Sequence, residues 1–232
     1  YNPLTDILKT NKENIMKKLL ILFLCIFINL GFSQDNSDAE LLLNKVSENI
    51  KNYENIYINY AYTLNNIEED INQTNKGSFV TEGEKWRFEM LGVTRIFDGS
   101  KLYSISPDDE EVTISSQDPE DETTITPNKM LYFYEDGYYF EMDKSRFIGN
   151  AQFRKKIQYV KLVPKDSEAE IKYILLGIDT EFNQIYEVIE TGKNETVTTI
   201  SIVDFEFNLP LDENLFVFQK DKYEDYYMNI LD

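Results

Sequence analysis

The apolar and polar positions follow three rhythms in turn along this chain. Leu19 to Phe32 is an apolar run broken only by Asn29 and Gly31. A helical period follows: Ala39, Leu42, Leu43, Val46, Ile50 and Tyr53 recur at three- and four-residue spacing. Ser37-Asp38-Ala39-Glu40 just ahead of them is a capping box, a hydroxyl at the cap and a carboxylate three residues on. The spacing predicts an amphipathic helix over 38–53.

From Ile56 the period is two. Ile56, Ile58, Tyr60, Tyr62 and Leu64 alternate with Tyr57, Asn59, Ala61 and Thr63, a long strand with one strongly apolar face. Phe79 and its neighbours form the next strand. Glu82-Gly83-Glu84 is a turn, and Lys85 to Met90 alternates without a break, with Trp86, Phe88 and Met90 on one side. Asp98-Gly99 between Val93–Phe97 and Leu102–Ile105 signals a hairpin. Further strands are expected at 112–115, 138–143, 153–163, 170–179, 184–190, 196–207 and 215–218. Thr126-Pro127 opens a second helix, carrying Met130, Leu131 and Tyr134 on its apolar side and ending at Gly137. About ten or eleven antiparallel strands in one run, without a linker or a repeat, make the fold class mainly β with α, as one strongly curved sheet or a barrel. The helices left over are amphipathic and must cover the apolar face of that sheet.

The first apolar run is an export signal. Met16-Lys17-Lys18 supplies the basic start, and Gly31-Phe32-Ser33 supplies a small-residue cleavage site. A spanning helix needs about 20 apolar residues, so a membrane anchor fits less well. Cleavage after Ser33 leaves residues 34–232 as a single domain, while residues 1–15 lack a starting Met and read as an upstream extension that is not native. Cys25 follows Leu24, not a small residue, which argues against a lipid-attachment site. The expected location is the periplasm.

Composition then removes most chemistry. Acids outnumber bases by 42 to 23, net −19. Segment 1–33 holds Lys9, Lys12, Lys17 and Lys18 against Asp6 and Glu13, net +2, so the exported chain carries −21. Nucleic acid is excluded as a partner by that charge, and anionic lipid is repelled unless a local basic patch exists. There is no histidine, and Cys25 is the single cysteine. Histidine triads, thiol nucleophiles, disulfides and the usual zinc sites are therefore out of reach, and no cofactor is expected. Carboxylate catalysis would need two facing acids in a cleft, and no pattern places such a pair. The acidic clusters Asp108–Glu111 and Asp118–Glu122 lack the spaced ligands of a calcium loop and read as solvated loops, with calcium or a basic partner as alternatives.

Several ordered stretches resemble the LolA-type periplasmic lipoprotein carriers. Asp98-Gly99, Leu102-Tyr103 and Pro107 resemble a hairpin motif of that family, and Gly77 to Met90 resembles the strand pair before it. Thr126-Pro127 with Met130-Leu131 resembles the start of its lid helix; Leu162 to Lys165 and Leu215 to Phe218 resemble later strands. The resemblance implies an incomplete antiparallel barrel covered by a helical lid. It also implies a non-enzymatic chaperone that holds lipoprotein acyl chains between the inner and outer membranes, receiving them from a lipoprotein-releasing ABC transporter and passing them to an outer-membrane acceptor, as a monomer. Many members carry Arg-Pro where this chain has Glu82-Gly83, which would pass any lid-closing role to a group such as Arg95.

The lipid-binding residues expected on the concave side are Ile58, Tyr60, Tyr62, Phe79, Trp86, Phe88, Met90, Ile96 and Leu102, with Met130, Leu131 and Tyr134 on the lid. The same stripe could simply be a packed core. Bulky aromatics and methionine suit a surface that re-packs around varied chains. Few apolar anchors and the polar Asn128, Lys129, Glu135 and Asp136 suggest a lid that detaches at low cost. One sixteen-carbon chain represents roughly 12 kcal/mol of burial at about 0.8 kcal/mol per methylene, so a carrier must hand over directly instead of releasing into water. A stress sensor built on the same half-barrel, and a carboxylate hydrolase, are the alternative readings.

Overall fold

A computed structural model describes residues 30–116, 130–150 and 152–231, with side chains from Asp38 onward. The upstream extension, most of the export signal, the second acidic cluster and the expected start of the lid helix at Thr126-Pro127 lie outside the described residues.

The helix α1 runs Leu30–Lys51. It begins well before the expected cap at Ser37, because no glycine or proline interrupts the chain between Phe32 and Lys51. Its apolar stripe is buried as the spacing predicts: Ala39 and Val46 are fully covered, and Leu43 and Ile50 nearly so.

Among the described residues twelve strands follow: β1 (Asn55–Asn66), β2 (Ile71–Glu82), β3 (Lys85–Met90), β4 (Val93–Phe97), β5 (Lys101–Ser106), β6 (Glu111–Ser116), β7 (Tyr138–Gly149), β8 (Arg154–Pro164), β9 (Ile171–Asp179), β10 (Gln184–Gly192), β11 (Val197–Phe207) and β12 (Tyr227–Leu231). They form one sheet in the order β12-β6-β5-β4-β3-β2-β1-β11-β10-β9-β8-β7. Two meanders, β1 to β6 and β7 to β11, are joined where β11 pairs antiparallel with β1. The ends of the order, β12 and β7, do not meet, so the curved sheet stays open.

Two departures from expectation concern the C-terminal segment. Leu215 to Phe218 is not a strand: Phe216 is buried, and the Phe218 ring stacks on Tyr103 at 4.6 Å and on Tyr223 at 5.5 Å, so aromatic packing on the outer face holds this stretch without a ladder. The acidic, aromatic tail instead supplies β12, which pairs parallel with β6. The outer aromatics pack with Ile96, Ile105 and Val112 in a small second cluster.

Side-chain alternation decides which residues face inward, and bulges keep it in phase. In β11 the register steps from Tyr60↔Ile202 to Asn59↔Asp204, so Val203 is an extra residue. That step puts Ile200, Ile202 and Phe205 on one face although their spacing changes from two to three. The main core joins α1 to the inner face of β8 and β9, where Val160, Leu162, Leu176 and Ile178 are 0% exposed.

Candidate functional site

The inner face is not filled everywhere. A hollow of about 400 Å³ lies against β1, β2 and β3 on one side and β9, β10 and β11 on the other. That falls within the range of roughly 300–1,000 Å³ typical of ligand pockets. Ile58, Tyr60 and Tyr62 line it from β1, Phe79 from β2, and Phe88 and Met90 from β3. Ile174 comes from β9, Ile185, Val188 and Glu190 from β10, and Ile200, Ile202 and Phe205 from β11. Met130, Leu131, Phe133 and Tyr138 close the set. Cross-strand register explains the grouping: Ile58 stands between Phe79 and Phe205, and Tyr62 faces Ile200.

Eight of the twelve expected lipid-binding residues thus meet at one hollow. Trp86 sits in the packed core beside it, its ring centroid 6.0 Å from that of Phe97, and Leu102, partly buried, packs against that core. Tyr134 is buried deeper still. Ile96 is a correction: it is paired with Arg87 and Tyr103 and belongs to the cluster on the opposite, outer face. In β4 the inward residue is its neighbour Phe97, since adjacent residues alternate faces. The lining from β9, β10 and β11 was missed by sequence reasoning. Bulges break the alternation in β10 and β11, so the period of two does not mark these residues, and only the tertiary pairing brings β11 beside β1.

Aromatic geometry shapes one wall. The Tyr60 and Phe88 rings lie roughly parallel with centroids 6.1 Å apart. The Tyr60 hydroxyl donates to the Glu89 carbonyl oxygen at 3.3 Å. A Cβ on Gly77 would collide with that hydroxyl and with the Glu89 carbonyl, so the glycine makes room for the ring. Burial pushes the Tyr60 phenol up to about 12.

Glu190 is the one carboxylate in this lining, and it has no hydrogen bond or ion pair among the described residues. Burial raises its carboxyl above the usual range. Tyr138 is raised too, first by burial and then by the charge of Glu190. Among the described residues no three metal-ligating side chains gather.

The segment over the hollow is better anchored than its polar residues suggest. The helix expected to run to Gly137 stops at Met130, and a 3-10 turn, Phe133–Glu135, follows it. Tyr134 is 1% exposed, and its hydroxyl lies 3.0 Å from the Ser47 Oγ of α1. Burial pushes that phenol up to about 12, although the Ser47 bond works the other way. Leu131 is buried as well, and Lys51 pairs with Glu135 at 3.1 Å. Gly137 ends the segment at φ +85°, a left-handed conformation suited to glycine. Gly83-Glu84 forms the tight β2–β3 turn, with Gly83 at φ +59°, and Glu82 ends β2 opposite Lys85. Arg95 stands across from Phe88, is exposed, and has no ion pair among the described residues.

No family model matches the chain, and no curated protein does. Solved structures do. An uncharacterized conserved protein from Thermus thermophilus aligns over 84% of this chain and 99% of its own, with TM-score 0.50 and 11% identity. LprF from Mycobacterium bovis aligns over 76% and 95%, with TM-score 0.45 and 10% identity. A LolA superfamily protein from Nitrosomonas europaea aligns over 78% and 97%, with TM-score 0.38 and 12% identity. At these identities the likeness is one of fold alone. That shared fold is an open, curved, mostly antiparallel sheet with a helix against its inner face.

Proposed function

We propose that this protein is an exported, non-enzymatic carrier that takes lipoprotein acyl chains into the inner-face hollow and passes them between membranes. The hollow carries the reading: a space of about 400 Å³, lined by aliphatic, aromatic and methionine side chains with a single carboxylate. Burying one methylene contributes about 0.8 kcal/mol, so a long chain in such a lining is held far too tightly to escape through water, and transfer needs direct contact with donor and acceptor. The inner-membrane ABC transporter and the outer-membrane acceptor implied by the resemblance would fill those roles. The segment 130–136, tied to α1 through Tyr134–Ser47 and Lys51–Glu135, would swing aside to admit the chain.

The test is uptake of a fluorescent acylated peptide, followed by its transfer from donor to acceptor vesicles. The expected result is saturable uptake that Phe88→Glu abolishes while the circular dichroism spectrum is kept. No uptake by the unaltered protein would overturn the reading. Uptake without transfer would favour a sensor built on the same half-barrel.

A further inference from the structure

One end of the sheet concentrates cations in an otherwise acidic chain. Acids outnumber bases by 42 to 23 overall. Between Lys144 and Lys156, however, the sequence also carries Arg146, Arg154 and Lys155, and not one carboxylate. The cations near the tip of the β7–β8 hairpin are all exposed. Asp179 on β9 pairs with Lys155 and Glu187 on β10 with Arg146, and Glu181 stands exposed on the β9–β10 turn. Lys144, Arg154 and Lys156 have no ion pair among the described residues.

Three phenylalanines share this end. Phe147 is 55% exposed, Phe153 76% and Phe182 50%. Phe147 and Phe153 flank the β7–β8 turn, and Phe182 lies on the adjacent β9–β10 turn, where its carbonyl accepts from the Asn49 side chain of α1 at 2.8 Å. Each turn pairs a cation with a ring: the Arg154 guanidinium lies 4.0 Å from the Phe147 centroid, and the Lys155 ammonium 5.5 Å from that of Phe182. The two turns are tied together by the Lys155–Asp179 ion pair at 3.1 Å and by the Thr180 amide donating to the Lys156 carbonyl at 3.2 Å.

We propose that this end of the sheet docks on a membrane surface containing anionic lipids, with the phenylalanines seated at headgroup depth and Lys144, Arg154 and Lys156 against lipid phosphates. The net charge of the chain does not forbid it. At physiological ionic strength charges more than about 8 Å apart are largely screened, so the local cations decide the encounter. Rings projecting from turns, with cations folded over them, match an interface that is apolar on one side and anionic on the other. The site is separate from the hollow, so docking and acyl-chain uptake can fail independently.

The experiment is co-sedimentation of the exported chain with phosphatidylcholine vesicles, with and without phosphatidylglycerol. The expected result is binding at least about tenfold tighter to the anionic vesicles, weakening as salt is added. Arg154→Glu with Lys156→Glu should remove that preference. Phe147→Ser with Phe153→Ser should weaken binding to the anionic vesicles while the salt dependence remains. Should the charge reversal unfold the protein, Arg154→Gln with Lys156→Gln serves in its place. Equal affinity for both vesicles, or variants that bind like the unaltered chain, would overturn the proposal. Salt-sensitive binding to an acidic protein without any vesicle binding would overturn it as well.

Discussion

Two halves of the same inner face differ in what covers them. On β8 and β9, Leu162, Leu176 and Ile178 have no exposure and lie in the core that α1 completes. On β1 and β3, Tyr62, Phe88 and Met90 are only half-buried and border the hollow. The strands alternate in the same way in both halves. Alternation therefore sets which side chains turn inward, and the third dimension sets whether they meet protein or space. A core residue loses packing when trimmed, whereas a residue bordering a hollow has few partners to lose.

The sharpest way to break this comparison is a pair of truncations. Leu176→Ala is expected to cost about 2–5 kcal/mol of unfolding free energy, because the surrounding core cannot collapse around the loss. Met90→Ala, at the edge of an existing hollow, should cost well under that. Urea denaturation of the two variants measures the difference, and equal losses would mean the hollow is as tightly packed as the core. The tie between the 130–136 segment and α1 comes next in size. Tyr134→Phe deletes the bond to Ser47 and leaves the Ser47 hydroxyl buried, an expected loss of about 1 kcal/mol. The same variant should admit an apolar fluorescent probe faster, as stopped-flow mixing would show.

Glu190 gives the smallest effect and fixes its sign. Burial raises its carboxyl above the usual range, so the folded chain holds that proton more tightly than the unfolded chain does. Its contribution to stability is present below the ordinary carboxylate range and is lost as pH rises through the raised value. Glu190→Gln should therefore raise the melting temperature at neutral pH, with the gain vanishing in acid. A melting-temperature difference that is constant across pH would show that the carboxylate is solvated instead of facing the hollow.

Much of the architecture was legible beforehand. The strands at Lys85–Met90 and Val93–Phe97 fall where their alternation placed them, because each is a short run bounded by turn residues. The start of α1 was not legible, since a good cap at Ser37 loses to a chain without glycine or proline from Phe32 to Lys51. The last strand was missed for a different reason. Tyr227–Leu231 sits at the sheet edge, and only its parallel pairing with β6 makes it a strand. Of the site, the β1 and β3 residues were readable from their stripe. Ile96 was assigned to the wrong face because Ile96 and Phe97 are both apolar, and pattern alone could not choose between them.

From the chain alone came the period of each element, the absence of histidine and thiol chemistry after Cys25, and the concentration of cations between Lys144 and Lys156. These are local or compositional properties, carried by covalent order. Which inward side chains border a hollow, that Glu190 shares it, and that Phe147, Phe153 and Phe182 gather at one end were decided by strand order, bulges and the seating of α1. Those depend on contacts between residues far apart in sequence, and no local pattern encodes which distant partner arrives.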